Sequence, residues 1–211
     1  MPAWTQEKPW SRYGCGATGE AGAPTGGSTG AIGRGGRHAD DMSDSPLLGQ
    51  TVVVIGGCAP AVREIARRAK QAGAQLVITD RRAGPLEDLA DEIGVEATDC
   101  FDEEDADALE AFLGSLPGHV DHVVLGGGEP GCIVRYARRE MRDGGSLVLV
   151  TTTLPAVVGQ LAAEVAPVRV NVITDGPAQA VASTAVALMI DPSRTGVVVS
   201  PGTPCAGSGV S

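Results

Sequence analysis

From Thr51 onward the chain returns again and again to short runs of Val, Leu and Ile, and this rhythm restricts the fold more than any other feature. The runs fall near 51–56, 75–79, 121–126, 146–151, 168–173 and 196–200, with a weaker one near 95–98. Between them lie stretches of helical length at 59–72, 84–93, 103–115, 131–142, 154–166 and 178–190. In the fifth of these, Leu154, Val157, Val158, Leu161 and Val165 recur at the spacing of one helix face. Strands that are apolar throughout are covered on both sides, and strands that alternate with helices pair in parallel. The expectation is an α/β fold: a single doubly wound, Rossmann-like parallel sheet with helices on both faces. Its ligand crevice would lie beyond the carboxyl ends of the strands, where the strand order reverses.

Residues 1–41 differ in kind. They hold ten of the 30 glycines and both tryptophans, with no apolar period of 2 or 3.6. This composition predicts a disordered, Gly-rich arm ahead of a domain spanning 42–211. Met42, followed by a short polar lead into the first strand, reads as the natural start; the alternative is an arm that carries Trp4 and Trp10 to a partner. The arm contains four basic and four acidic residues, so the formal net charge of −10 belongs entirely to residues 42–211. Binding to nucleic acid or to an anionic membrane needs clustered Lys and Arg, so the expected partners are small molecules or proteins. The five cysteines form no C-x-x-C pair and no metal-ligand spacing with the three histidines, which fits a reducing cytoplasm and no metal site. No apolar run reaches the roughly 18 residues that span a bilayer, and the first residues lack the apolar core of a secretion signal. The expectation is a soluble, cytoplasmic protein.

The stretch VVVIGGCAPAVREIARRAKQAGAQLVITDRR, residues 52–82, is a strand, a glycine-started turn, a helix and a second strand with an acid at its tip. A helix N-terminus at such a turn offers free N–H groups and a partial positive charge to a pyrophosphate. Gly56 and Gly57 suit a close approach of backbone to phosphate. Further glycines are usual in this fingerprint, and here Pro60 and Val62 stand in that region. Proline is comfortable in a first helical turn but donates no N–H. Valine adds bulk where helix and strand pack tightly, so the turn predicts weak or altered binding, or a plain strand-to-helix connection without a ligand. Asp80 stands where an acid grips the adenosine ribose hydroxyls, and Arg81 beside it can meet a 2′-phosphate instead. NAD and NADP both stay open, with a lean to NAD.

In the order of its landmarks the chain from Leu48 to Gly207 resembles the short-chain dehydrogenase/reductase family. VVVIGG and LVITDR resemble the first two strands. ATDCFDEEDADALEAF resembles the acidic segment, in which the resemblance places Asp99 at the adenine ring. HVDHVVLGGGEP resembles the fourth strand, with Leu125-Gly126-Gly127-Gly128 in place of Asn-Asn-Ala-Gly. GGSLVLVTTT resembles the fifth strand, and Asp175-Gly176-Pro177 stands at the Pro-Gly loop after the sixth; SRTGVVVSPGT resembles the last. The resemblance implies NAD(P)-dependent oxidation or reduction, a cofactor held by Gly56, Gly57, Asp80, Arg81, Asp99, Cys100, Gly126, Gly127, Gly176 and Pro177, and Thr152 at the catalytic serine position.

The catalytic stretch departs from the family. No Tyr-x-x-x-Lys exists in the chain, whose only tyrosines are Tyr13 and Tyr136. Between Thr153 and Arg169 there is room for one short helix, where the family inserts a catalytic loop and a long helix. Losing a positioned acid costs roughly 10²–10⁴-fold in rate. Asp175, Glu164 and His122 are the candidates to replace it, each more simply read as a surface group. Cys58 is more simply a buried thiol than a nucleophile. Asp102-Glu103-Glu104-Asp105 reads as helix capping rather than metal binding, and Arg135, Arg138, Arg139 and Arg142 as a solvated face. Two functions of different class follow: an oxidoreductase of the short-chain type, or a non-catalytic homologue that binds a ligand or pairs with an active relative as a homo- or hetero-oligomer. A methyltransferase also has a glycine turn and an acid after its second strand, but the later landmarks argue against it.

Overall fold

The structure, a computed structural model, describes residues 45–116, 119–127, 130–151, 158–174 and 176–202. Within them strands and helices alternate: β1 (Thr51–Ile55), α1 (Pro60–Gln71), β2 (Gln75–Asp80), α2 (Ala83–Ile93), β3 (Ala97–Cys100), α3 (Ala106–Ser115), β4 (Val120–Leu125), α4 (Pro130–Glu140), β5 (Met141–Val150), α5 (Val158–Glu164), β6 (Arg169–Ile173), α6 (Ala178–Ile190) and β7 (Val198–Val199). The strands form one parallel sheet of seven in the order β3-β2-β1-β4-β5-β6-β7. The expected doubly wound sheet is therefore what forms.

The apolar strands divide their side chains between two half-cores, as the period of 2 requires. Val53 and Ile55 of β1 face α3, α4 and α5, joining Leu109, Phe112, Ile133 and Ala137. Val52 and Val54 face α1, α2 and α6, joining Ile65, Leu86, Leu89 and Leu188. Each fully buried side chain of this size contributes about 1.5–3 kcal/mol, so a sheet covered on both faces is what the Val/Leu/Ile runs favour. Among the described residues no helix is long and apolar enough to cross a membrane.

The element borders depart from the sequence expectation where side-chain or glycine geometry decides. Helix α3 begins at Ala106 rather than 103, because Asp105 takes the cap position and its carboxylate accepts the N–H groups of Asp107 at 3.0 Å and Ala108 at 3.2 Å. The expected helix 131–142 stops at Glu140. Met141 already pairs with Val120, and the register then slips so that His122 pairs with Ser146. Gly144 lies in the left-handed region at φ +80°, and a Cβ on Gly145 would stand 2.5 Å from the Asp121 carbonyl oxygen. The glycine pair thus lets the extra residues loop out without breaking the strand. The weak run near 95–98 becomes β3 at Ala97–Cys100, and the last strand shrinks to Val198–Val199. Of the helix face expected at 154–166, Val158 and Val165 are buried and Leu161 is half-buried, while Leu154 and Val157 lie outside the described residues.

Candidate functional site

The chain runs outward from β1 to β3, then crosses back to lay β4 on the other side of β1. The loops after β1 and β4 therefore leave the sheet in opposite directions, and a crevice opens between them at the strands' carboxyl ends. Ile55 and Leu125 are register partners there, and the Gly126 N–H donates to the Ile55 carbonyl at 2.9 Å. Gly56 sits at φ +76°, a conformation that only glycine adopts without strain, and turns the chain from β1 toward α1. The Gly57 N–H donates to the Thr79 carbonyl at 2.8 Å, and a Cβ on Gly57 would collide with the Ile78 side chain. Gly57 thus serves the packing of the turn on β2.

Helix α1 opens with Pro60 in its first turn, no side-chain cap and no acid. The Ala59 N–H closes onto the Gly56 carbonyl at 3.3 Å, and the first bond of the helix runs from Arg63 N–H to the Ala59 carbonyl at 2.8 Å. The Ala61 and Val62 N–H groups consequently have no partner within the helix, which is the arrangement that receives an anion. Val62, 1% exposed, replaces the small residue of the fingerprint. Its bulk is met across the crevice floor: a Cβ on Gly126 would stand 2.5 Å from Val62 Cγ2. The valine is accommodated because position 126 has no side chain.

Asp80 is 4% exposed and turned inward. Its Oδ2 accepts the Cys58 N–H at 2.8 Å, and its Oδ1 accepts the Arg82 N–H at 3.0 Å and the Arg82 Nε at 3.3 Å. Burial alone would raise the carboxyl's pKa, but these hydrogen bonds outweigh it and hold the pKa below the usual range. The acid at the tip of β2 thus clasps the turn after β1, with Arg81 exposed beside it. Cys58 is held neutral, its thiol pushed up to about 11 by burial and then by the Asp80 charge, so it is no ready nucleophile. Asp99, half-buried at the end of β3, is raised by burial, partly offset by the Cys100 N–H at 2.8 Å. Cys100 pairs in register with Asp80.

One carboxylate in the crevice was not singled out from the sequence. Glu103, in the loop from β3 to α3, lies over the glycines: its Oε1 is 3.3 Å from where a Cβ on Gly127 would stand and 3.7 Å from that of Gly56. Its Oε2 is buried and accepts no hydrogen bond among the described residues. Of the same acidic run only Asp105 caps the helix as expected, while Asp102 Oδ1 accepts the Glu104 N–H at 3.1 Å in the turn that precedes it. No signal in four consecutive acids distinguishes the one that turns inward.

The remaining candidates are scattered. Gly176 and Pro177 follow β6, and a Cβ on Gly176 would collide with the Pro201 carbonyl, so this loop is packed on the turn after β7. Thr152 and Asp175 lie outside the described residues. His122 is not a surface group: it is 3% exposed within β4, with Nδ1 2.8 Å from Ser146 Oγ and Nε2 2.5 Å from Gln50 Oε1. Since the Gln50 oxygen only accepts, Nε2 carries the proton and Nδ1 accepts from the serine. Glu164 pairs with Arg138 at 3.2 Å. Arg135 and Arg142 likewise reach Glu110 and Asp121, at 3.6 and 3.3 Å. Among the described residues no His, Cys, Asp or Glu cluster could hold a metal ion.

No protein-family model matches the sequence, and no curated protein gives a significant sequence match. Solved structures do match in fold. BdcA in complex with NADPH superposes with a TM-score of 0.65 at 19% identity, over 74% of this chain and 94% of that one; BdcA has also been solved from E. coli. A short-chain dehydrogenase/reductase from Serratia marcescens gives 0.64 at 18% identity over 74% and 98%. The hydroxysteroid dehydrogenase from Escherichia coli gives 0.64 at 20% identity over 76% and 98%. The chain has the fold of the short-chain dehydrogenases/reductases.

Proposed function

We propose that this protein is an NAD(P)-binding member of the short-chain dehydrogenase/reductase family, derived from an oxidoreductase and working without the family's Tyr-x-x-x-Lys chemistry. The observation that carries the reading is the uncapped N-terminus of α1, set behind Gly56 and opposite Gly126 and Gly127 at the point where strand order reverses. The Ala61 and Val62 N–H groups would meet the pyrophosphate, Asp99 and Cys100 the adenine, and Arg81 the ribose end. A bound nicotinamide would supply hydride transfer. Thr152 would contact the substrate with its hydroxyl, and a proton donor other than tyrosine would have to serve.

The test is calorimetric titration of the full chain with NADH and with NADPH, followed by turnover of a carbonyl panel. Binding of either dinucleotide is expected, and the ratio of the two affinities decides between NAD and NADP. The lean to NAD rests on Asp80, and the clasp that occupies Asp80 counts against it. Turnover abolished by Thr152→Ala would place the substrate site, and turnover unchanged in that variant would remove Thr152 from it. No binding of either dinucleotide at millimolar concentration would sink the reading. Binding without turnover, together with co-purification of an intact homologue, would favour the second reading, a non-catalytic partner subunit in the cytoplasm; the absent Tyr-x-x-x-Lys is what supports it.

A further inference from the structure

We infer that Glu103 sets the affinity of the crevice for phosphate, acting as a charge barrier that keeps dinucleotide binding weak. The inference rests on the dinucleotide reading above and names the residue that tunes it. The loop from β3 to α3 brings the Glu103 carboxylate into the gap between the two glycine loops, within 3.3–3.9 Å of where a Gly127 side chain would begin and 3.7 Å of the same point on Gly56. Those glycines are the two walls between which a phosphate would approach the α1 N-terminus. Neighbouring acids are disposed otherwise, since Asp102, Glu104 and Asp105 are exposed and Asp105 is consumed in capping α3.

Glu103 makes no ion pair among the described residues, and its Oε2 is buried without a hydrogen bond there. Among the described residues the Arg82 guanidinium is bonded to Asp80 rather than to Glu103. A pyrophosphate entering this gap adds negative charge beside an unneutralised carboxylate in a partly dry site, where repulsion is screened far less than in water. The glutamate must then turn out or be neutralised for a phosphate to seat. The charge on Glu103 adds to whatever Pro60 and Val62 cost at the turn.

The experiment titrates the full-length protein and its Glu103→Gln variant with NADH, NADPH and adenosine, at low and at high potassium chloride. Glutamine keeps the shape and removes the charge. The variant is expected to bind NADH and NADPH at least about tenfold more tightly than the parent. Adenosine, which has no phosphate, should bind both proteins alike, and most of the gain should persist at high salt, because charges in a partly dry gap are screened little. Binding by the parent with no gain in the variant, or an equal gain for adenosine, would overturn the charge barrier and leave the dinucleotide reading standing. Binding by the variant alone would support both. No dinucleotide binding by either protein, with unchanged circular dichroism, would overturn both.

Discussion

Val62 and Gly126 form a complementary pair across the crevice floor, and the complementarity can be measured. Gly126→Ala places a methyl 2.5 Å from Val62 Cγ2 and 3.2 Å from the Ile55 carbonyl oxygen. Overpacking of this kind costs about 1–3 kcal/mol. Adding Val62→Ala removes the first of these collisions, so the double variant should be more stable than the sum of the two single changes. Urea unfolding of the four proteins gives the coupling directly; strict additivity would show that the two positions do not touch in solution. The residue scale is also where the sequence was least informative. Asp80 is recognisable as the acid at a strand tip, but nothing local shows that its carboxylate folds back onto the Cys58 N–H. That direction depends on β1 and β2 lying side by side with Ile55 opposite Thr79.

At the scale of elements the sequence was largely legible, because strand and helix periods are set by burial on the sheet and burial is what Val, Leu and Ile report. What escaped is the ends. Arg169 opens β6 yet its function is to finish α6: Nη1 donates to the carbonyls of Leu188 at 2.6 Å and Asp191 at 2.8 Å, and Nη2 to that of Met189 at 2.8 Å. A buried guanidinium thereby satisfies carbonyls that the last turn of a helix leaves without donors. Sequence separation of about twenty residues hides such a cap from any local pattern. Arg169→Leu should lower unfolding stability by roughly 2–4 kcal/mol, since it strands several buried acceptors together. Chemical denaturation checks this, and hydrogen exchange should show the loss concentrated at the end of α6. A cost near zero would mean that water replaces the guanidinium.

At the scale of the molecule, His122 ties the lead into β1 to β4 and β5 through Gln50 and Ser146, so its titration is felt by the whole sheet. Burial lowers its pKa from 6.5 to about 4, with Asp121 pulling it up and Arg169 pushing it down. Between those values the unfolded chain holds the extra proton. Stability is therefore complete above about pH 6.5 and falls as pH drops toward 4, by at most about 1.4 kcal/mol per pH unit. Unfolding measured at several pH values in the parent and in His122→Asn isolates the effect, and equal slopes in the two would reject it.

The pairing of a valine with a missing side chain also fixes an order for anyone rebuilding this turn. A β-carbon at position 126 meets Val62 Cγ2, and glycine there does not. An engineer who wants a side chain at 126 must therefore shorten position 62 first, because the opposite order passes through an overpacked intermediate.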